Sequence, residues 1–251
     1  MTREAGQLWF LAKTVMSPVC RFFWNFEVNG RENVPTDGPA IMAPNHLSVI
    51  DSFFLPVVLD RRITYVGKAE YMDDWKTKYL FPALGMVPID RSGGTASQAA
   101  LDTAARILES GELFGIYPEG TRSRSGNLHK GRTGVARLSM RTGAPIVPVG
   151  LRGTLEVQPP DQPAPKPFMT VQVNFGKPID PSRFRARDGD PLLYREITDE
   201  LMFEIAQLSG QQYVHEYASK DTTTETTPGP VSTVPLAEVR SSADLLSSAA
   251  G

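Results

Sequence analysis

Five short apolar runs punctuate this chain: AIMAP (40–44), ITYVG (63–67), MVPID (86–90), LFGIYP (113–118) and APIVPVG (144–150). Runs of this length fit strands, and between them lie stretches of helical character. The clearest is ASQAALDTAARILESG (96–111), where Ala99, Leu101, Ala104, Ala105 and Leu108 form one apolar stripe and Gly111 supplies the stop. Strands that alternate with helices predict an α/β fold, with a mainly parallel central sheet flanked by helices. Ligands of such sheets gather beyond the carboxyl ends of the strands. Three polar clusters stand at those ends: NHLSVID after AIMAP, DRSGG after MVPI, and PEGTRS after LFGIY.

The two ends of the chain read differently from its middle. MTREAGQLWFLAKTVMSPVCRFFWNF lacks a basic region ahead of a clean apolar run, so it is not read as a signal peptide. Lys13 and Arg21 interrupt the segment and Pro18 breaks it, so no span of ~20 apolar residues is available to cross a bilayer. Its aromatic-rich helical pieces, with Trp9, Phe10, Phe22, Phe23 and Trp24, either lie in a membrane interface or pack on the body. Residues 219–251 are dominated by Ser, Thr, Ala and Pro, with too few large apolar groups to offset the entropy of ordering. The expected organisation is an amphipathic, membrane-associating helical segment at 1–27, a catalytic domain at 28–218, and a disordered tail at 219–251. With 251 residues, 41% of them hydrophobic, the chain can bury one sizeable core.

Composition excludes some chemistries. Cys20 is the single cysteine, so neither a disulfide framework nor a thiolate metal site is expected, and a reducing cytoplasm fits. The histidines, at 46, 129 and 215, are spread too widely to read as a metal cluster. The net charge is -2, yet residues 121–155 carry Arg122, Arg124, Lys130, Arg132, Arg137, Arg141 and Arg152 with no acid. That run reads as a local anion site on an otherwise neutral body. A nucleic-acid module would need a broader basic face, so no nucleic-acid partner is expected.

In NHLSVID, His46 and Asp51 are five residues apart. On one uninterrupted helix they would point ~140° apart, so they meet only if a turn intervenes. Asn45 and His46 leaving a strand, Ser48 as N-cap and Asp51 in the first helical turn would supply it. Asp51 then accepts from one imidazole nitrogen, and the other is free to take a proton from a hydroxyl. Taken alone, such a pair reads equally well as a structural hydrogen bond.

PEGTRSRSGNLHKG places Glu119, Gly120 and Arg122 directly after a strand, so that backbone amides and a guanidinium face one pocket, which suits a phosphate. GMVPIDRSGG repeats the arrangement with Arg91 at a strand end. Either is also compatible with an ordinary strand–helix turn carrying a solvated arginine.

Four blocks in order, NHLSVID, GMVPIDR, YPEGTRS and APIVPVG, resemble the four motifs of the 1-acylglycerol-3-phosphate acyltransferase type of glycerolipid acyltransferase, over roughly residues 38–155. The resemblance implies that His46 is the general base and that Asp51 orients it. Gly85, Asp90 and Arg91 match the second motif, whose arginine is implied to contact the acceptor's phosphate, and acceptor binding is implied for Glu119, Gly120, Thr121 and Arg122 in the third. Ile146 and Pro148 match the fourth, near the acyl donor or in the supporting core, and Lys68 and Lys130 match recurrent basic positions. Tyr117 departs from the Phe usual before PEG, a change that puts little in doubt.

The activity so implied is transfer of a fatty acyl group from acyl-CoA or acyl carrier protein to the hydroxyl of 1-acylglycerol-3-phosphate, giving phosphatidic acid. A thioester already has a good leaving group, so no cofactor and no metal is expected. No G-x-S-x-G elbow is present, and direct transfer is the economical route. The expected location is peripheral, on the cytoplasmic face of the cell membrane. The alternatives are a sibling enzyme acting on glycerol-3-phosphate, another lysophospholipid or a glycolipid, and a non-enzymatic binder of anionic lipid. The binder would have no need of His46 with Asp51.

Overall fold

The computed structural model describes residues 3–68, 86–89, 96–160, 162–187, 190 and 192–219. Gly85, Asp90, Arg91, the Gly93–Gly94 turn and the tail from residue 220 onward lie outside the described residues. In chain order the helices are α1 (Arg3–Phe23), α2 (Asp51–Val58), α3 (Ala96–Glu109), α4 (Gly134–Thr142), α5 (Thr154–Val157) and α6 (Leu193–Ser209). The strands are β1 (Trp24–Asn29), β2 (Ala40–Pro44), β3 (Ile63–Lys68), β4 (Met86–Ile89), β5 (Leu113–Gly115), β6 (Leu128–His129), β7 (Ile146–Arg152), β8 (Met169–Phe175) and β9 (Tyr213–Val214).

Seven strands form one sheet in the order β1-β8-β7-β2-β5-β3-β4, and β6 pairs with β9 apart from it. Every neighbouring pair in the sheet is parallel except β7 with β8, so β1 and β8 run opposite to the other five. This is the mainly parallel, helix-flanked α/β sheet expected from the sequence.

Strand β2 shows why its five residues are all apolar. Ile41 and Ala43 enter a core shared with residues of α3, α4 and α6, while Ala40 and Met42 enter a second core shared with residues of α2 and β8. Successive side chains point to opposite faces, and both faces are covered. The five apolar runs correspond to β2, β3, β4, β5 and β7, and ASQAALDTAARILESG contains α3. Strands β1 and β8 escaped that reading. In β1 half-buried and exposed residues alternate, so WNFEVN forms no continuous apolar run.

Pro18 does not break the N-terminal segment, because α1 continues through it from Arg3 to Phe23. A proline inside a helix removes one amide donor and kinks the axis, a cost that packing along the rest of the helix offsets. The packed face carries Lys13, Met16, Ser17 and Cys20. Trp9, Lys13, Met16 and Ser17 line a small cavity with Pro56 and Val57 of α2, and Lys13 Nζ donates to the Leu59 carbonyl. Cys20 is buried, whereas Val15, Val19 and Phe22 on the opposite face are exposed. One face of α1 thus packs on the body and the other is exposed. Among the described residues no helix is long and apolar enough to cross a membrane.

Candidate active site

The carboxyl end of β2 carries Asn45 and His46. Asn45 is fully buried, and its side chain spans to β7: Nδ2 donates to the Leu151 carbonyl (3.0 Å) and Oδ1 accepts from Leu151 N–H (2.7 Å). Nδ2 also donates to Gln211 Oε1 at 2.7 Å. These bonds hold the exit of β2 in place and so set where His46 begins.

The turn between His46 and Asp51 exists, but Ser48 is not its cap. The residue preceding α2 is Ile50, which makes no side-chain cap, and Ser48 Oγ instead donates to the Gln158 carbonyl at 2.9 Å. Asp51 organises the turn from the helix side. Its Oδ2 accepts from Leu47 N–H and Ser48 N–H, both at 2.8 Å, and lies 2.9 Å from His46 Nδ1. Two backbone donors already converge on that oxygen, so it acts as an acceptor and the imidazole donates from Nδ1. Nε2 then carries the free lone pair. The Asp51 side chain is wholly buried and that of His46 is 15% exposed, which leaves the imidazole within reach of a ligand.

Tyr117, two residues beyond the end of β5, lies under the imidazole. The two ring centroids are 3.7 Å apart with planes 15° from parallel, and the ring of Tyr65 is the next layer, 6.0 Å from Tyr117. Gly115 makes room for this: a Cβ there would come within 2.1 Å of the Tyr65 ring. Tyr117 Oη is 2.7 Å from Ser52 Oγ on α2. Burial raises the pKa of both phenols, so both remain protonated near neutral pH.

Glu119 is fully buried and joins three segments. Oε1 accepts from His46 N–H (3.1 Å) and Oε2 from His129 N–H (2.9 Å), so both carboxyl oxygens are directed at the polypeptide itself. Burial pushes its pKa up to about 8, against the pull of those two amides. Ser123 N–H donates to the His46 carbonyl at 2.8 Å, which fixes the backbone of this loop beside the histidine. Gly120 has φ of +77°, a left-handed conformation that favours glycine, and the Arg132 side chain packs against it, its Nε 2.9 Å from where a Cβ would stand.

The seven basic residues of 121–155 do not form one patch, which corrects the sequence reading. Arg141 pairs with Asp102 of α3, Arg137 lies over the ring of Tyr194 at 5.6 Å, and Arg152 Nε donates to the Leu208 carbonyl at 2.9 Å. A helix distributes i and i+4 positions along one outer face, away from the strand end. Nearer the Glu119 loop, Lys130 Nζ is 3.1 Å from His215 Nε2, and Lys130 and Arg132 both lie over the ring of Tyr217, at 5.6 and 5.1 Å. Lys68 ends β3. The structure thus joins His46, Asp51 and Glu119 by hydrogen bonds, and Gly120, Thr121 and Arg122 follow Glu119 in the chain. Asn45 and Tyr117 were missed as positioning groups. Their sequence signals were a polar residue abutting an apolar strand and an added hydroxyl on an aromatic.

Comparison with known proteins bears on this arrangement. The family model described as acyltransferase matches residues 25–152. The chain is 28% identical over 175 residues to the chloroplastic 1-acyl-sn-glycerol-3-phosphate acyltransferase LPAT1 of Arabidopsis thaliana, covering 69% of this chain and 49% of that protein. It is 26% identical over 127 residues to the 1-acyl-sn-glycerol-3-phosphate acyltransferase of Borreliella burgdorferi, covering 51% of each. The chain spans about half the length of these curated relatives. The crystal structure of the 1-acyl-sn-glycerophosphate acyltransferase PlsC from Thermotoga maritima superposes with a TM-score of 0.61 at 22% identity, over 80% of this chain and 78% of that one. At this identity the likeness is one of fold.

Proposed function

The chain belongs to the acyltransferase family, and on that premise we propose that it acylates the hydroxyl of 1-acylglycerol-3-phosphate from an acyl-CoA or acyl carrier protein thioester, giving phosphatidic acid. The observation that carries this reading is the oriented base: His46 held through Nδ1 by the buried Asp51, with Nε2 free. A lipid hydroxyl has a pKa far above 7, so attack on the thioester carbonyl requires a base to take its proton as the C–O bond forms. His46 Nε2 takes that proton, the C–S bond breaks, and the proton passes to the departing thiolate. Asp51 stabilises the transient imidazolium and Tyr117 supports it from below. The thioester supplies its own leaving group, so the step uses neither metal nor cofactor.

Thr121 and Arg122 on the loop after β5, Lys130 directly after β6 and Lys68 at the end of β3, together with Arg91 of the second motif, are assigned to the acceptor's phosphate. Guanidinium groups suit that role because they bind phosphate in a bidentate fork. Glu119 and Gly120 shape the same loop. The enzyme works at the cytoplasmic face of the membrane as a peripheral protein, with residues 1–27 as its associating segment, 28–218 as the catalytic domain and 219–251 as a tail. The test is acyl transfer by purified protein across a panel of acceptors, with products resolved by mass. Transfer to 1-acylglycerol-3-phosphate in preference to glycerol-3-phosphate, other lysophospholipids and glycolipids is expected. Preference for any of those would replace the acceptor, and absence of transfer to all of them would overturn the enzyme.

A further inference from the structure

The rim that carries His46 is also where the two reversed strands begin. β7 runs parallel to β2, and β8 runs antiparallel to β7 with Gln172 opposite Arg152. β1 runs parallel to β8 with Trp24 opposite Met169. Phe23 and Phe168 therefore precede their strands at the same edge of the sheet at which His46 follows β2. The Ser48 bond to the Gln158 carbonyl ties the catalytic turn to the loop that leads to Phe168.

This edge displays aromatic rings. Phe22 and Phe168 are 72% and 74% exposed, and both contact Phe23, with centroids 5.1 and 5.9 Å away. Val15 and Val19 continue the exposed surface down the outer face of α1, in step with Phe22 at i, i+4 and i+7. Phe168 is held there against its own backbone preference. Its φ of 61° makes it the one non-glycine residue with positive φ among the described residues, and its N–H donates to the Phe23 carbonyl at 2.6 Å. The left-handed region costs a bulky residue on the order of 1 kcal/mol, so the fold bears strain in order to present an unburied ring. Cations flank these rings along the chain. Next to the rings in the chain stand the exposed Arg21 and Lys166, and residues 19–26 and 162–170 contain no acid.

We propose that Phe22, Phe23 and Phe168 form a docking rim that seats this edge of the sheet in the headgroup region of an anionic bilayer, with Phe168 as an anchor from outside α1. Aromatic rings beside cations match such an interface, where apolar groups enter the acyl boundary and lysines and arginines meet anionic headgroups. Docking here turns the carboxyl-end rim, and with it His46, toward the surface in which a lipid acceptor resides. The inference rests on the lipid-acyltransferase reading for its purpose, but its measurement is separate.

The experiment is sedimentation of the full chain with phosphatidylcholine vesicles, with and without phosphatidylglycerol, for wild type, Phe168→Gly and Phe168→Trp. Glycine relieves the backbone strain, so Phe168→Gly should melt no lower than wild type while its partitioning onto anionic vesicles weakens about tenfold. In Phe168→Trp the added indole emission should shift to the blue and be quenched by brominated lipid. Unchanged partitioning of Phe168→Gly, or an unshifted indole, overturns the rim. Loss of self-association in place of vesicle binding would assign the patch to a second copy of the chain and overturn it too. Vesicle binding that depends on Phe168 in a protein without acyl transfer would sink the proposed function and uphold the rim. Acyl transfer with Phe168-independent binding would do the reverse.

Discussion

The imidazole of His46 lies flat on the phenol ring of Tyr117, 3.7 Å away and 15° from parallel. The imidazolium formed during proton transfer therefore rests on a π face, a contact typically contributing about 0.5–2 kcal/mol. Tyr117→Leu should lower kcat by roughly 2- to 30-fold with little change in KM, since the contact strengthens only as charge develops. Tyr117→Phe keeps the stacked face and gives up the bond to Ser52, and its kcat should stay within about threefold of wild type. Steady-state kinetics distinguish the two. Equal losses in both variants would place the effect in the Ser52 bond and remove the stack from the mechanism.

His46→Ala should abolish acyl transfer while the protein remains folded, since general base catalysis alone contributes ~10²–10⁴-fold. Asp51→Asn should lose most of the activity as well. Oδ2 receives three hydrogen bonds in a buried site, and an amide there weakens the hold on the Nδ1–H tautomer. Circular dichroism with single-turnover rates tests both variants. More than a tenth of the wild-type rate in His46→Ala would show that the base lies elsewhere.

Glu119 gives stability a pH dependence of defined sign. Burial raises its pKa from 4.5 to about 8, so the fold favours the neutral form. The associated stability is fully present below about pH 4.5 and is lost as pH rises through 8, a change on the order of a few kcal/mol. Glu119→Gln removes that dependence and sets an amide NH₂ against one of two backbone N–H groups, which costs about 1–3 kcal/mol at every pH. Melting temperatures between pH 4.5 and 8.5 should therefore fall in wild type and lie lower but flatter in the variant. A variant with the wild-type slope would assign the titration to another group.

For the anion site, Arg122→Ala should cost roughly ten- to hundredfold in kcat/KM with 1-acylglycerol-3-phosphate, the equivalent of about 1.5–3 kcal/mol for a charge-assisted bond. Monoacylglycerol, which lacks the phosphate, should be a poor acceptor whose rate hardly changes. Arg122→Lys should recover part of the loss, because an ammonium lacks the bidentate fork. The same series at Arg91 tests the second motif. Equal losses on both acceptors would assign these arginines to the fold or the donor site.

Much of this was legible in the residues themselves. The parallel strands are near-continuous apolar runs because both of their faces are covered, and α3 is marked by its stripe and terminal glycine. The 46–51 pair was legible as well, since only a turn brings those positions together. The reversed strands β1 and β8 were not, because an alternating half-exposed strand resembles a polar loop until its partner is known. Nor was the continuation of α1 through Pro18, where packing on α2 outweighs the local preference. The basic run was misread as one patch because linear proximity says nothing about which face of α4 an arginine occupies.

By itself the sequence determined the parallel strands β2, β3, β4, β5 and β7, the helix α3, and the polar residues that follow β2 and β5, because period, turn residues and spacing are local properties of the chain. Tertiary structure alone decided what those polar groups face. Glu119 accepts amides from His46 and His129, Tyr117 underlies a ring 71 positions away in sequence, and Phe168 stands exposed beside Phe23. Such pairings depend on strand order and on the reversal of β8 against β7, and distance along the chain carries no record of either, because the sheet brings together residues that no local preference connects.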